Sequence, residues 1–292
     1  MKKILIILLL STSYIFANIN AIVSILPQKN FLKAIGGDKV NISLMVEPGN
    51  SPHTYEPKPS QMVAVAKANL YFALGVEFED VWLPKFKNLN TNLNIIDLSK
   101  GIEKHSMASG GHSCDAHGSH EHHAHAKQKS GKKDPHIWTS PANVKIIAQN
   151  TYDALAKHDA KNADYYKTNL DAFIASIEKT DKAISTLLST LTGNRTFMVF
   201  HPSWGYFAKE YNLEQIAIEV EGKSPKPKEL VTLIKEAKEK KVAAIFTQPE
   251  FSTASAKIIA NELKIPVVKI SPIAPNWSEN LIKMAKTISG TK

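Results

Sequence analysis

One stretch, Asn162 to Leu191, runs for thirty residues without a proline or glycine and sets Ala163, Tyr166, Leu170, Phe173, Ile177, Ile184, Leu187 and Leu191 near helical spacing. At 1.5 Å per residue such a helix spans roughly 45 Å. It is long enough to brace two domains, and the sequence changes character on either side of it only by repeating itself. With 292 residues, 43% of them apolar, the chain can supply one large or two medium domains with real cores.

On the N-terminal side, the apolar run Ala21–Leu26, ended by Pro27, reads as a buried strand, and Gln28–Ile35 has helical spacing up to Gly36-Gly37. Val40–Val46 is a second strand, and a turn-rich loop follows, from Ser51 to Ser60. Ser60 is expected to cap a helix through Ala68, with strands at Leu70–Leu74 and Asn94–Leu98 after it. Ser140 should cap a helix that opens at Pro141, where a missing N–H costs nothing, and runs to about Lys157. On the C-terminal side, strands are expected at Thr196–Phe200, Glu214–Val220, Val242–Phe246 and Pro266–Ile270. The expected helices there are Trp204–Tyr211, Lys228–Lys240, Thr253–Leu263 and Ser278–Ile288. Strands alternating with helices predict an α/β fold with parallel sheets covered on both faces. Glu56-Pro57-Lys58-Pro59-Ser60 and Ser224-Pro225-Lys226-Pro227-Lys228, each before a helix and strand, suggest a loose internal duplication. The expected division is a signal peptide at 1–17, an N-terminal lobe at 18–158, a linking helix at 159–193 and a C-terminal lobe at 194–292.

The N-terminus carries the address. Lys2 and Lys3 precede an apolar run, Ile4–Leu10, and then Ile15-Phe16-Ala17, with a small residue where a signal peptidase would cut. The run is too short to be a bilayer-spanning anchor. Cys114, the only cysteine, is far from that run, so a lipid anchor is not expected and no internal disulfide can form. The mature chain is expected in the periplasm, not embedded in a membrane, as a monomer. The formal net charge of +9 comes from scattered lysines with no stripe of arginines and aromatics, which excludes nucleic acid as a partner.

Histidine is distributed unevenly. Of 11 in the chain, seven fall between His105 and Lys133: His105, His112, His117, His120, His122, His123 and His125, among Gly, Ser, Ala and Lys. A tract so poor in apolar residues cannot bury enough surface to offset its ordering entropy, so it reads as a mobile loop. Neutral imidazole is the commonest ligand for borderline transition metals, and such a loop is expected to collect metal at low affinity through residues 112–125. A solvated spacer is the alternative.

Outside the loop remain His53, His136, His158 and His201. His158 lies in a Lys-rich connection and is assigned to the surface. The other three follow strands or strand-derived loops, where open parallel sheets place their ligands. Three imidazoles converging between two domains would make a metal site.

Four segments carry a resemblance: Ser51-Pro52-His53-Thr54-Tyr55-Glu56-Pro57, Asp134-Pro135-His136-Ile137-Trp138, the run Phe200–Phe207 around His201, and Gln248-Pro249-Glu250-Phe251-Ser252. Together, and in this order, they resemble the signature segments of the metal-binding solute-binding proteins of ABC transporters. The His-rich loop before the second ligand resembles the zinc subgroup, the ZnuA-type proteins. The resemblance implies two parallel α/β lobes joined by a long rigid helix, Zn2+ held between them by His53, His136 and His201, and delivery to a membrane ABC permease. Many family members have an aspartate where this chain has Ser271, in Ile270-Ser271-Pro272, so a carboxylate ligand is missing there. Three nitrogens favour zinc over manganese. The fourth position is left to water or a visiting side chain, and Asp134, Glu56 and Glu250 are candidates to orient an imidazole through its other nitrogen. Because metal must displace protons from imidazoles, affinity should fall as pH drops through about 6.5. A three-His zinc enzyme is the competing reading; no His-Glu-x-x-His run or general base at a fixed offset accompanies the ligands, and no catalytic activity is expected.

Overall fold

The computed structural model describes residues 18–107, 133–189, 191, 193, 195–220 and 222–291. The signal peptide and the six loop histidines His112 to His125 lie outside the described residues.

Two parallel sheets of four strands each form the scaffold. The first contains β1 (Ile19–Val23), β2 (Val40–Leu44), β3 (Leu70–Ala73) and β4 (Asn94–Asp97), in the order β2-β1-β3-β4. The second contains β5 (Thr196–Val199), β6 (Glu214–Ala217), β7 (Ile245–Thr247) and β8 (Val267–Lys269), in the order β6-β5-β7-β8. Both orders step outward from the first strand on one side and then cross to the other, so the two halves share one topology.

The helices are α1 (Leu26–Gly36), α2 (Pro59–Ala66), α3 (Glu77–Leu89), α4 (Pro141–His158), α5 (Ala163–Ser189), α6 (Gly205–Glu210), α7 (Pro227–Glu239), α8 (Ala254–Leu263) and α9 (Trp277–Ser289). Ser140 caps α4 as expected, its hydroxyl accepting from the Asn143 N–H at 3.1 Å. His158 closes that helix and is exposed.

Three local expectations change. Pro27 does not end a strand; it occupies the first turn of α1, where proline loses no hydrogen bond. Ser60 is not the cap, because α2 starts at Pro59 and the cap position falls two residues earlier, on Lys58, whose N–H is satisfied by Gln61 Oε1 at 2.8 Å. The same device opens α7, where the Lys226 N–H donates to Glu229 Oε2 at 2.6 Å, so the duplicated Lys-Pro dipeptides do the same work in each half. Third, the segment between β3 and β4, to which the sequence reading assigns no element, forms α3 with Pro84 inside it.

Helix α5 covers 27 residues, about 40 Å, and buries Tyr166, Leu170, Ile177, Ile184 and Leu188. It packs against α1 and α4 of the first half and against α9. Helix α9 crosses the division drawn from chain order. Trp277 meets Phe31 of α1 edge-on at 5.5 Å, and its indole N–H donates to the Trp138 carbonyl at 2.7 Å. Trp138 in turn donates to the Pro272 carbonyl at 2.8 Å. One continuous apolar cluster therefore runs from β1 and α1 through α5 to Phe197, Val199 and α9. Among the described residues no helix is long and apolar enough to cross a membrane.

Candidate metal centre

The strands of each sheet are parallel, so their carboxyl ends lie along one edge, where open parallel sheets place ligands. His53 lies in the loop after β2, His136 immediately before the short turn Ile137–Thr139 that leads into α4, and His201 just past β5. The three rings meet there. One ligand atom from each lies within 4.8 Å of the others, and the Nε2 atoms of His53 and His201 are 3.2 Å apart. His136 and His201 are buried, while the His53 side chain keeps 28% of its exposure at the mouth. The cavity they line measures about 30 Å³, enough for one small ion or a water molecule.

Each imidazole is held from behind by a carboxylate. Glu77 pairs with Nδ1 of His53. Asp134 Oδ1 lies 2.7 Å from Nδ1 of His136 and also accepts that residue's backbone N–H at 2.9 Å, a local turn that fixes ring and chain together. Glu219 Oε1 lies 2.8 Å from Nδ1 of His201. A carboxylate on Nδ1 keeps the proton there and leaves the Nε2 lone pair outward. With that tautomer on both rings, the lone pairs of His53 and His201 face each other at 3.2 Å. Facing lone pairs repel unless a cation lies between them. Two nitrogens on a tetrahedral zinc with Zn–N of about 2.0–2.1 Å would be roughly 3.3 Å apart.

Burial lowers the His136 pKa below the ordinary imidazole value of 6.5, and Asp134 offsets this only in part. The buried ring is therefore neutral, the form a metal requires. Glu250 also lines the cavity, and its carboxyl is raised above the usual range, chiefly by burial.

Of the expected orienting groups, Asp134 is in place, but Glu56 and Glu250 do not hold an imidazole. Glu56 is exposed. The positions fall instead to Glu77 and Glu219, which sequence reasoning missed. Glu219 interrupts an apolar run, Ile216-Ala217-Ile218-Glu219-Val220, and an acid there is a signal that could have been read. Glu77 opens α3, where the helix dipole favours a carboxylate, and it was hidden because that helix was not recognised. Trp138 and Trp204, which lie close in sequence to His136 and His201, are buried, 2% and 1% exposed.

A family model described as "Zinc-uptake complex component A periplasmic" matches residues 22–290, and the chain belongs to that family of zinc-uptake solute-binding proteins. A solved structure described as ZnuA superposes with a TM-score of 0.82 at 41% identity, covering 94% of this chain and 98% of that one. The zinc-binding protein AdcA of Streptococcus pyogenes is 26% identical over 262 residues, 87% of this chain and 50% of AdcA, so this chain spans half the length of that relative. The manganese ABC transporter substrate-binding lipoprotein PsaA of Streptococcus pneumoniae is 27% identical over 80% of this chain and 73% of its own length. The PsaA name describes a lipoprotein, which runs against the expectation of an unlipidated chain.

Proposed function

We propose that this chain captures Zn2+ in the periplasm, with His53, His136 and His201 as its imidazole ligands, and hands it to a membrane ABC permease for import. The observation that carries this reading is the convergence of three Nε2-bearing edges whose Nδ1 atoms are each engaged by a carboxylate. That arrangement prepares the lone pairs before metal arrives, so little reorganisation opposes binding. The ZnuA and AdcA names support zinc as the cargo.

Manganese is the second reading, favoured by the likeness to PsaA. Three nitrogens in a buried site suit zinc better, because manganese prefers harder oxygen ligands. Binding rather than catalysis is the role that fits the family; zinc-dependent ester hydrolysis by the loaded protein would argue otherwise.

Calorimetry tests the proposal. One tight zinc per chain is expected, lost when His53, His136 and His201 are all replaced by alanine and kept when residues 106–132 are deleted. Tight binding that survives the triple replacement would refute the ligand assignment.

A further inference from the structure

Among the described residues lining the cavity, two carry carboxyl groups: Glu77 and Glu250. Glu77 is committed to His53. Burial raises the Glu250 carboxyl above its usual range, and the Lys269 ammonium, the His201 ring and the Ser271 hydroxyl offset this in part.

The turn that carries Glu250 is fastened to His201 at three points. The His201 N–H donates to Gln248 Oε1 at 3.3 Å, and Gln248 Nε2 donates back to the His201 carbonyl at 2.7 Å. The Phe251 ring stacks on the His201 imidazole, with centroids 5.4 Å apart and planes 25° from parallel. Glu250 sits between these two residues in sequence, so its backbone is fixed relative to a ligand while its side chain keeps rotatable bonds.

Four-coordinate zinc with three nitrogen ligands leaves one position open. A half-buried carboxylate has lost part of its hydration, and a cation within reach restores what burial removed. Ser271 is a neutral hydroxyl and a weak ligand by comparison. The carboxylate oxygens of Glu250 do not belong to the close triad of ligand atoms, so the side chain must rotate to reach the ion.

We propose that Glu250 is the fourth, oxygen ligand: its carboxylate turns from the cavity wall, closes on the ion held by the three imidazoles, and turns back when the ion departs. The inference rests on the three-histidine reading above and adds a ligand to it.

The test uses the full chain, with zinc affinity measured by chelator competition and with cobalt(II) as a spectroscopic probe of the same site. Glu250→Gln is expected to weaken zinc about ten- to a hundredfold and to change the visible cobalt spectrum as water replaces carboxylate. Glu250→Asp should recover part of the affinity. A Glu250→Gln protein with unaltered affinity and cobalt spectrum, beside a His201→Ala protein that has lost tight binding, would overturn the proposal and leave the triad standing. Retention of tight binding by both variants would overturn the triad and the proposal with it. X-ray absorption of the unaltered zinc-loaded chain decides the matter even if the variant fails to fold: three imidazoles plus a carboxylate carbon shell support it, and three imidazoles without that shell refute it.

Discussion

Nδ1 of His201 lies 2.8 Å from Glu219 Oε1, and the two side chains are only 11% and 8% exposed. The carboxylate fixes the ring's orientation and raises its basicity toward metal. Glu219→Gln keeps the shape but removes the charge, so zinc affinity should fall about ten- to a hundredfold with the fold intact. Chelator competition on the purified variant measures this; unchanged affinity would mean that Glu219 has no part in binding.

His136 gives the site a pH signature of its own. Its folded pKa lies below the ordinary 6.5, so between those values the unfolded chain takes up a proton that the folded chain refuses. The stability of the metal-free protein should therefore be complete above pH 6.5 and decline as pH falls through the lowered folded value. Thermal unfolding from pH 5 to 8 reads this, and His136→Gln should remove that component.

Glu79 works in the opposite direction. It lies in the first turn of α3 on the buried face, accepts from Ser24 and from the N–H groups of Leu74 and Gly75, and burial lifts its pKa from 4.5 to about 7. A raised folded value means that stability is full below pH 4.5 and is lost as pH rises through 7, by about 3 kcal/mol for a shift of this size. Glu79→Gln should flatten this loss in denaturant titrations taken at pH 5 and pH 8. A variant as pH-sensitive as the parent would count against it.

Trp277 joins α9 to the first half through Phe31 and the Trp138 carbonyl. Trp277→Ala should cost about 3–5 kcal/mol of stability, read by urea unfolding. Trp277→Phe should cost about 1–3 kcal/mol, mostly for the carbonyl left without its donor. Zinc stoichiometry should remain one in both.

The fold was legible because its signals are periodic. The α5 stripe, the alternation of strands and helices, and the paired Lys-Pro openings are all local patterns, and each marks an element that exists. Helix α3 was obscured by Pro84, whose usual meaning is a break. The convergence of His53, His136 and His201 could be anticipated because few other histidines remain outside the loop. Their orienting acids could not, since Glu77 and Glu219 reach their rings only after β3 and β6 are set beside β1 and β5, a relationship of strand order that spacing along the chain does not reveal.

The return of α9 to α1 and α5 has a consequence for any attempt to separate the halves. A cut between α5 and β5 would leave the first fragment with Phe31 and the far side of α5 bare, and the second with the buried face of α9 turned to water. Neither piece would be a self-sufficient module, however alike their sheets. The two halves depend on each other, and the fragments should clump when expressed apart and recover a common fold only when mixed.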